Sequence, residues 1–210
     1  MAPLGRFGGL RQLYIEGHSK DIEVLSDLAD LEDLTLRSLT LSNLELLVPI
    51  RKLRSLDIKL GGTTDLSPLN QMRQIEYLEL WMIRGFSDLS EVSGLTNLRY
   101  LFLQALKQVT VLPDLSKCAR LERIHLETMK GLTDLGPLRS APGLRDLDLL
   151  DMPQLRWEHL TPLVDHGTLR AVRLGTGSRK RNAEFRERLG YPDPGPPRDD
   201  LLRLARGELD

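Results

Sequence analysis

Ile75-Glu76-Tyr77-Leu78-Glu79-Leu80 and, 23 residues later, Leu98-Arg99-Tyr100-Leu101-Phe102-Leu103 spell one phrase: apolar, two variable positions, apolar, one variable position, apolar. Outward from this pair the phrase recurs in both directions. Its apolar positions are Leu10, Leu13, Ile15; Leu31, Leu34, Leu36; Leu53, Leu56, Ile58; Ile75, Leu78, Leu80; Leu98, Leu101, Leu103; Leu121, Ile124, Leu126; Leu144, Leu147, Leu149; and Leu169, Val172, Leu174. The eight copies start 21, 22, 22, 23, 23, 23 and 25 residues apart, a period too short for tetratricopeptide, ankyrin or propeller units. Positions four to six alternate in, out, in, as a short strand requires, so stacked copies predict one parallel sheet with apolar residues entering the core.

The return segments carry their own anchors, such as Leu66, Leu69 and Met72, or Leu132, Leu135 and Leu138. Their three-residue steps suit short 3₁₀ turns. Asp65-Leu66-Ser67-Pro68-Leu69 and Asp134-Leu135-Gly136-Pro137-Leu138 add a capping aspartate and an early proline, the chemistry of a helical turn's start. So short a coil leaves little room for a full outer helix, which predicts gentle curvature.

These residues resemble the leucine-rich-repeat family over residues 10 to about 174, and the Asp-Leu-Ser-Pro-Leu return is similar to its bacterial, internalin-like branch with 22–23-residue repeats. The resemblance implies an α/β solenoid: a horseshoe with a parallel concave β-sheet and 3₁₀ turns on the convex side. One departure stands out. Where the family usually places an asparagine, at the ninth repeat position, this chain has His18, Leu39, Gly61, Ile83, Leu106, Met129, Met152 and Gly177. No asparagine ladder can form, so the turn's backbone groups must pair with water or with one another. Apolar residues there resemble the repeat tails of nucleotide-binding immune-type receptors, although the chain has no G-x-x-x-x-G-K-[ST] phosphate loop.

The expected organisation is a lead-in over 1–9, the solenoid over 10–174, a cap helix over 175–190 and a Pro-rich tail over 191–210. The lead-in looks too short to cover the first coil, which is either frayed or once joined to something upstream. Phe185 and Leu189 fall on one side of the cap helix. Gly190 to Pro197 breaks regular structure, and Leu201-Leu202-Arg203-Leu204-Ala205 reads either as a last helical turn docking back on the solenoid or as a free tail.

With 40% hydrophobic and 28% charged residues, the composition is that of a globular chain, and a net charge of −1 offers no bulk attraction to phosphate backbones or anionic lipid. The single cysteine, Cys118, and the lack of a signal-like apolar segment point to a cytoplasmic protein. The four histidines have no convincing metal-ligand spacing, and no cofactor motif or nucleophile elbow occurs. No cofactor, metal or catalytic role is expected. Loose carboxylates Asp146, Asp148 and Glu127 on an open sheet are better read as solvated than as a cation site.

Function is expected in the outward columns of the sheet. The second column alternates Arg11, Glu32, Arg54, Glu76, Arg99, Glu122, Arg145, Arg170, a charge ladder that sets register. The third runs Gln12, Asp33, Ser55, Tyr77, Tyr100, Arg123, Asp146, Ala171; the fifth runs Tyr14, Thr35, Asp57, Glu79, Phe102, His125, Asp148, Arg173; and the seventh contains Trp81. Of only ten Phe, Tyr and Trp residues in the chain, Tyr77, Trp81, Tyr100 and Phe102 fall in two adjacent copies. Together with Glu79 and His125, and a rim of Asp57, Glu127 and Asp148, they form the expected partner-binding site: an exposed aromatic patch with an acidic border. The alternative is that the rings only stabilise the sheet. The expected partner is a protein, through a basic or amphipathic segment, and neither nucleic acid nor a membrane. A spacer role is the alternative function, an enzyme using the acidic face a more remote one; the sequence does not fix the oligomeric state.

Overall fold

A computed structural model describes residues 6–7, 9–17, 19–198, 201 and 203. Eight strands follow one another in a single open sheet in chain order: β1 (Gln12–Glu16), β2 (Asp33–Arg37), β3 (Ser55–Lys59), β4 (Tyr77–Trp81), β5 (Tyr100–Gln104), β6 (Arg123–Glu127), β7 (Asp146–Leu150) and β8 (Ala171–Leu174). Every neighbouring pair is parallel and aligned copy to copy, so that Tyr77 lies opposite Tyr100 and Phe102 opposite His125. The register follows from the phrase itself, because a slip of one residue would turn each core leucine out to water.

The returns are 3₁₀ turns, among them Ser67–Gln71, Ser90–Gly94 and Gly136–Ser140. Asp65, Asp88, Asp114 and Asp134 each accept a hydrogen bond from the backbone N–H two residues on, at 2.8–2.9 Å, and so start each return. Hydrogen bonds from the side chain and backbone of Ser67, Ser90 and Ser116 hold the Asp65, Asp88 and Asp114 carboxyls below their ordinary range.

The missing asparagine ladder has a backbone substitute. At the eighth repeat position Gly17, Ser38, Leu60, Met82, Ala105, Thr128 and Asp151 all adopt left-handed backbone, with φ between 48° and 63°. That conformation turns the N–H of the first six sideways to donate, at 2.8–2.9 Å, to the carbonyl ending the next coil's strand: Leu60 to Trp81, Met82 to Gln104, Ala105 to Glu127. The ninth-position side chains, freed from hydrogen bonding, enter the core: Leu39, Ile83, Leu106, Met129 and Met152 are all buried. His18 lies outside the described residues.

Leucine, isoleucine and valine from strands and returns form one continuous core along the stack. After β8, helix α2 (Arg179–Leu189; the short α1, Trp157–Leu160, precedes it) starts at Ser178, whose Oγ accepts from the Arg181 N–H, and ends at Gly190 with φ 74°. Its Phe185 joins the core, 6.2 Å from the Trp157 ring. No helix among the described residues is long and apolar enough to cross a membrane.

Candidate functional site on the concave sheet

The second-column ladder forms: Arg11 meets Glu32 at 2.7 Å, Arg54 meets Glu76 at 2.8 Å, and Arg99 reaches both Glu76 and Glu122 at 3.8 and 3.4 Å. Further in, β4 to β6 bring four rings into a row. Tyr77 and Tyr100 meet edge to face at 5.2 Å, Tyr100 and Phe102 lie 6.5 Å apart, and His125 stacks flat on Phe102 at 4.2 Å and 7°. Glu79 accepts the Tyr77 hydroxyl at 2.9 Å. Trp81, at the far end of β4, stands apart from this row with the Arg37 guanidinium 5.8 Å from its centroid.

The patch is not open as the sequence reading has it. Tyr77 and Tyr100 are only 3% and 5% exposed, and Phe102, His125, Glu79 and Trp81 are half-buried. The cause is the segment after α2. Tyr191 anchors its start by bonding the backbone at His166 and Leu163, and the Val172 N–H donates to Pro192 O at 2.8 Å. Asp193, Gly195 and Arg198 then lie on the concave face, and Leu201, 1% exposed, seats on Tyr77 and Tyr100 with Phe102 alongside.

The rim also differs from a solvated acidic border. Arg123, whose side chain is 1% exposed, donates to Asp148 Oδ2 at 3.0 and 2.6 Å, while Asp148 itself is fully buried between Arg123, His125 and Arg173. Burial alone would raise the Asp148 carboxyl, yet the hydrogen bonds from His125 and Arg123 hold it below its usual range. This consumes the carboxylate that the sequence analysis weighed for a cation, and no cluster of three or more metal-ligating side chains occurs among the described residues.

Charge is therefore divided along the sheet. Towards β1, a groove of about 500 Å³ is lined by Asp33, Asp57, Thr35 and Lys59. Burial raises Asp33 to about 6, and burial together with the adjacent Glu79 raises Asp57. Beyond β5 a groove of about 570 Å³ is lined by Arg120, Arg145, Arg170 and Arg198 with Glu122 among them, and the ladder's alternation fails at Arg145 and Arg170. Arg123 and Arg173, which stand in the outward columns without being assigned to the site, and Leu201, outside the columns, are further functional candidates. The available signal was a positive charge at the third position of one copy, flanked by acids in the next, and a lone apolar residue beyond a Pro-rich stretch.

An eight-coil parallel solenoid with an apolar, backbone-laddered turn and a laterally varied concave face defines a leucine-rich-repeat protein fold. Solved structures agree. Internalin C2 from Listeria monocytogenes is similar at TM-score 0.53 and 20% identity, covering 78% of this chain and 76% of that one. Drosophila Toll in its complex with Spätzle is similar at TM-score 0.64 and 17% identity over 81% of this chain, and the TLR13–ssRNA13 complex at 0.62 and 20% over 82%; this chain spans only 24% and 26% of those two. No family model and no curated protein matches the sequence.

Proposed function

We propose that the chain is a non-catalytic recognition module that binds an extended stretch of protein across its concave sheet, centred on the ring row Tyr77, Tyr100, Phe102 and His125 with Glu79 and Trp81 at its border. The observation that carries this reading is that the face already seats polypeptide in this way: a backbone carbonyl, a carboxylate and a leucine of the segment after α2 each find a formed niche. Contiguous aromatic side chains on a rigid sheet supply affinity at low entropic cost. Of the two partner chemistries left open by the sequence, the buried Arg123 and the half-buried Arg173 favour an amphipathic segment over a purely basic one.

The TLR13 structure is a complex with single-stranded RNA, so the fold by itself does not exclude nucleic acid. Here the net charge of −1, with no bulk attraction to a phosphate backbone, favours protein. Cys118 is buried and its thiol is pushed up to about 11, which makes it unreactive, and the use of a single cysteine favours the intracellular setting we propose. The test is capture from the native cell by the wild-type chain and by the Trp81→Ala/Phe102→Ala double variant. Protein capture lost in the variant at unchanged circular dichroism is expected. Equal capture by both chains, or capture abolished by nuclease, would overturn the reading.

A further inference from the structure

The segment over the concave face behaves as a ligand rather than as part of the solenoid's packing. Helix α2 contributes Phe185 to the main core, and Tyr191 packs against it, but Leu201 belongs to a separate apolar cluster with Tyr77, Tyr100 and Phe102. Beyond Pro192 the described residues Asp193, Gly195, Arg198 and Leu201 touch the concave face and not the main core.

Its contacts are those of a bound peptide. The Asp193 carboxylate takes Arg173 Nε and Nη2 at 3.0 and 2.9 Å and also accepts the Gly195 N–H at 3.0 Å, a tight turn that Gly195 permits with φ 65°. That turn points the Gly195 carbonyl at two arginines, Arg173 Nη2 at 2.7 Å and Arg123 Nη2 at 3.1 Å. Pro196 and Pro197 favour an extended path, Arg198 pairs with Glu122 of the ladder, and Leu201 closes the run six residues after Gly195. Arg123 Nη1, buried and without a hydrogen bond, lies 3.7 Å from the Asp146 carboxylate.

We infer that residues 193–198 together with Leu201 are a tethered competitor, and that the partner displaces them by presenting the same chemistry: a carboxylate with a turned backbone carbonyl two residues on, for Arg173 and Arg123, and an aliphatic side chain about six residues further, for the Tyr77–Tyr100 niche. This rests on the proposed reading of the concave face as the binding surface and deepens it. A ligand in solution competes against the high effective concentration of a segment on the same chain, so releasing the segment strengthens binding by the factor that occupancy had cost.

The experiment uses the full chain and a fluorescent peptide copying residues 191–203, with Leu201→Asp, and separately Asp193→Ala, introduced into the chain but not the peptide. Anisotropy titrations are expected to show binding to both variants about tenfold or more tighter than to the wild type, with thermal melting confirming folded protein. A peptide in which its own counterpart of Leu201 is alanine is expected to lose that gain. Equal affinity for wild type and both variants, or no binding to any of them, overturns the inference. It does so while leaving the capture test above intact, because that test reads whether the native partner needs Trp81 and Phe102, whether or not the segment competes for the face. A uridine 13-mer that binds the Leu201→Asp chain and is not displaced by the peptide overturns it in favour of nucleic acid.

Discussion

Three aspartates on the same sheet meet burial with different outcomes, and the difference lies in who supplies the opposite charge. Asp148 has Arg123, His125 and Arg173 around it and stays ionised below the usual range. Asp57 accepts from Thr35 at 2.9 Å and has Lys59 at 3.6 Å, but Lys59 is shared with Glu79 at 3.1 Å, so burial and the neighbouring carboxylate win and the carboxyl is raised. Asp33 is raised to about 6, chiefly by burial. A carboxyl held higher when folded than when unfolded binds its proton more tightly in the native state. Its contribution to stability is thus full below about pH 4 and lost as pH rises through about 6. Asp33→Asn removes this titration. The variant is expected to match the wild type at pH 4 and to exceed it at pH 8 by about 1–2 kcal/mol, a figure reduced from the full two-unit linkage because the half-buried carboxyl is screened by solvent. Urea unfolding at the two pH values measures it, and an advantage that is the same at both would show that Asp33 titrates normally.

At the scale of the coil, the left-handed turn column is both the device that replaces the asparagine ladder and a store of strain. A non-glycine residue at φ near +55° costs about 1 kcal/mol over glycine, and the chain accepts this at Ser38, Leu60, Met82, Ala105 and Thr128 in order to aim each N–H at the neighbouring coil. Met82, 46% exposed, packs little, so Met82→Gly relieves the backbone at small loss. A gain of about 0.5–1 kcal/mol is expected, read as a melting temperature raised by about 1–4 °C. Gly61, one position further along in its own coil, predicts the opposite. A Cβ there would lie 1.8 Å from the Leu39 carbonyl oxygen, so Gly61→Ala forces backbone apart and is expected to destabilise by about 3 kcal/mol in the same assay. The sequence made the missing asparagines visible, together with the need for backbone groups to pair with water or one another. It did not make the choice visible, because left-handed backbone at Leu60 or Met82 contradicts their local preferences and is imposed only by stacking.

For the whole molecule, what was legible is what repeats. The phrase around Leu78 and Leu101 fixed strands, register and core, since each copy confirms the next, and the columns came out aligned as written. What was not legible is what occurs once: the placement of residues 192–198 and of Leu201 has no second copy to confirm it, and a Pro-rich run followed by a single seated leucine carries no periodicity. The same aperiodic segment is why Tyr77 and Tyr100, rightly assigned to one face, are covered on it. Stability should follow the one-dimensional order too. Coils β4 to β7 are stacked on both sides, and β8 is covered by α2 and receives Pro192, whereas among the described residues no strand lies outside β1, where Leu10 and Leu13 are only partly buried. In a nearest-neighbour solenoid a coil with one partner opens at lower free energy than a coil with two. Native-state hydrogen exchange is therefore expected to rank the amides of Leu13 to Ile15 well below those of Leu101 to Leu103 in protection, with Val172 nearer the interior value. Uniform protection along the stack would mean that the eight coils open as one unit and that their stability is not a sum over neighbours.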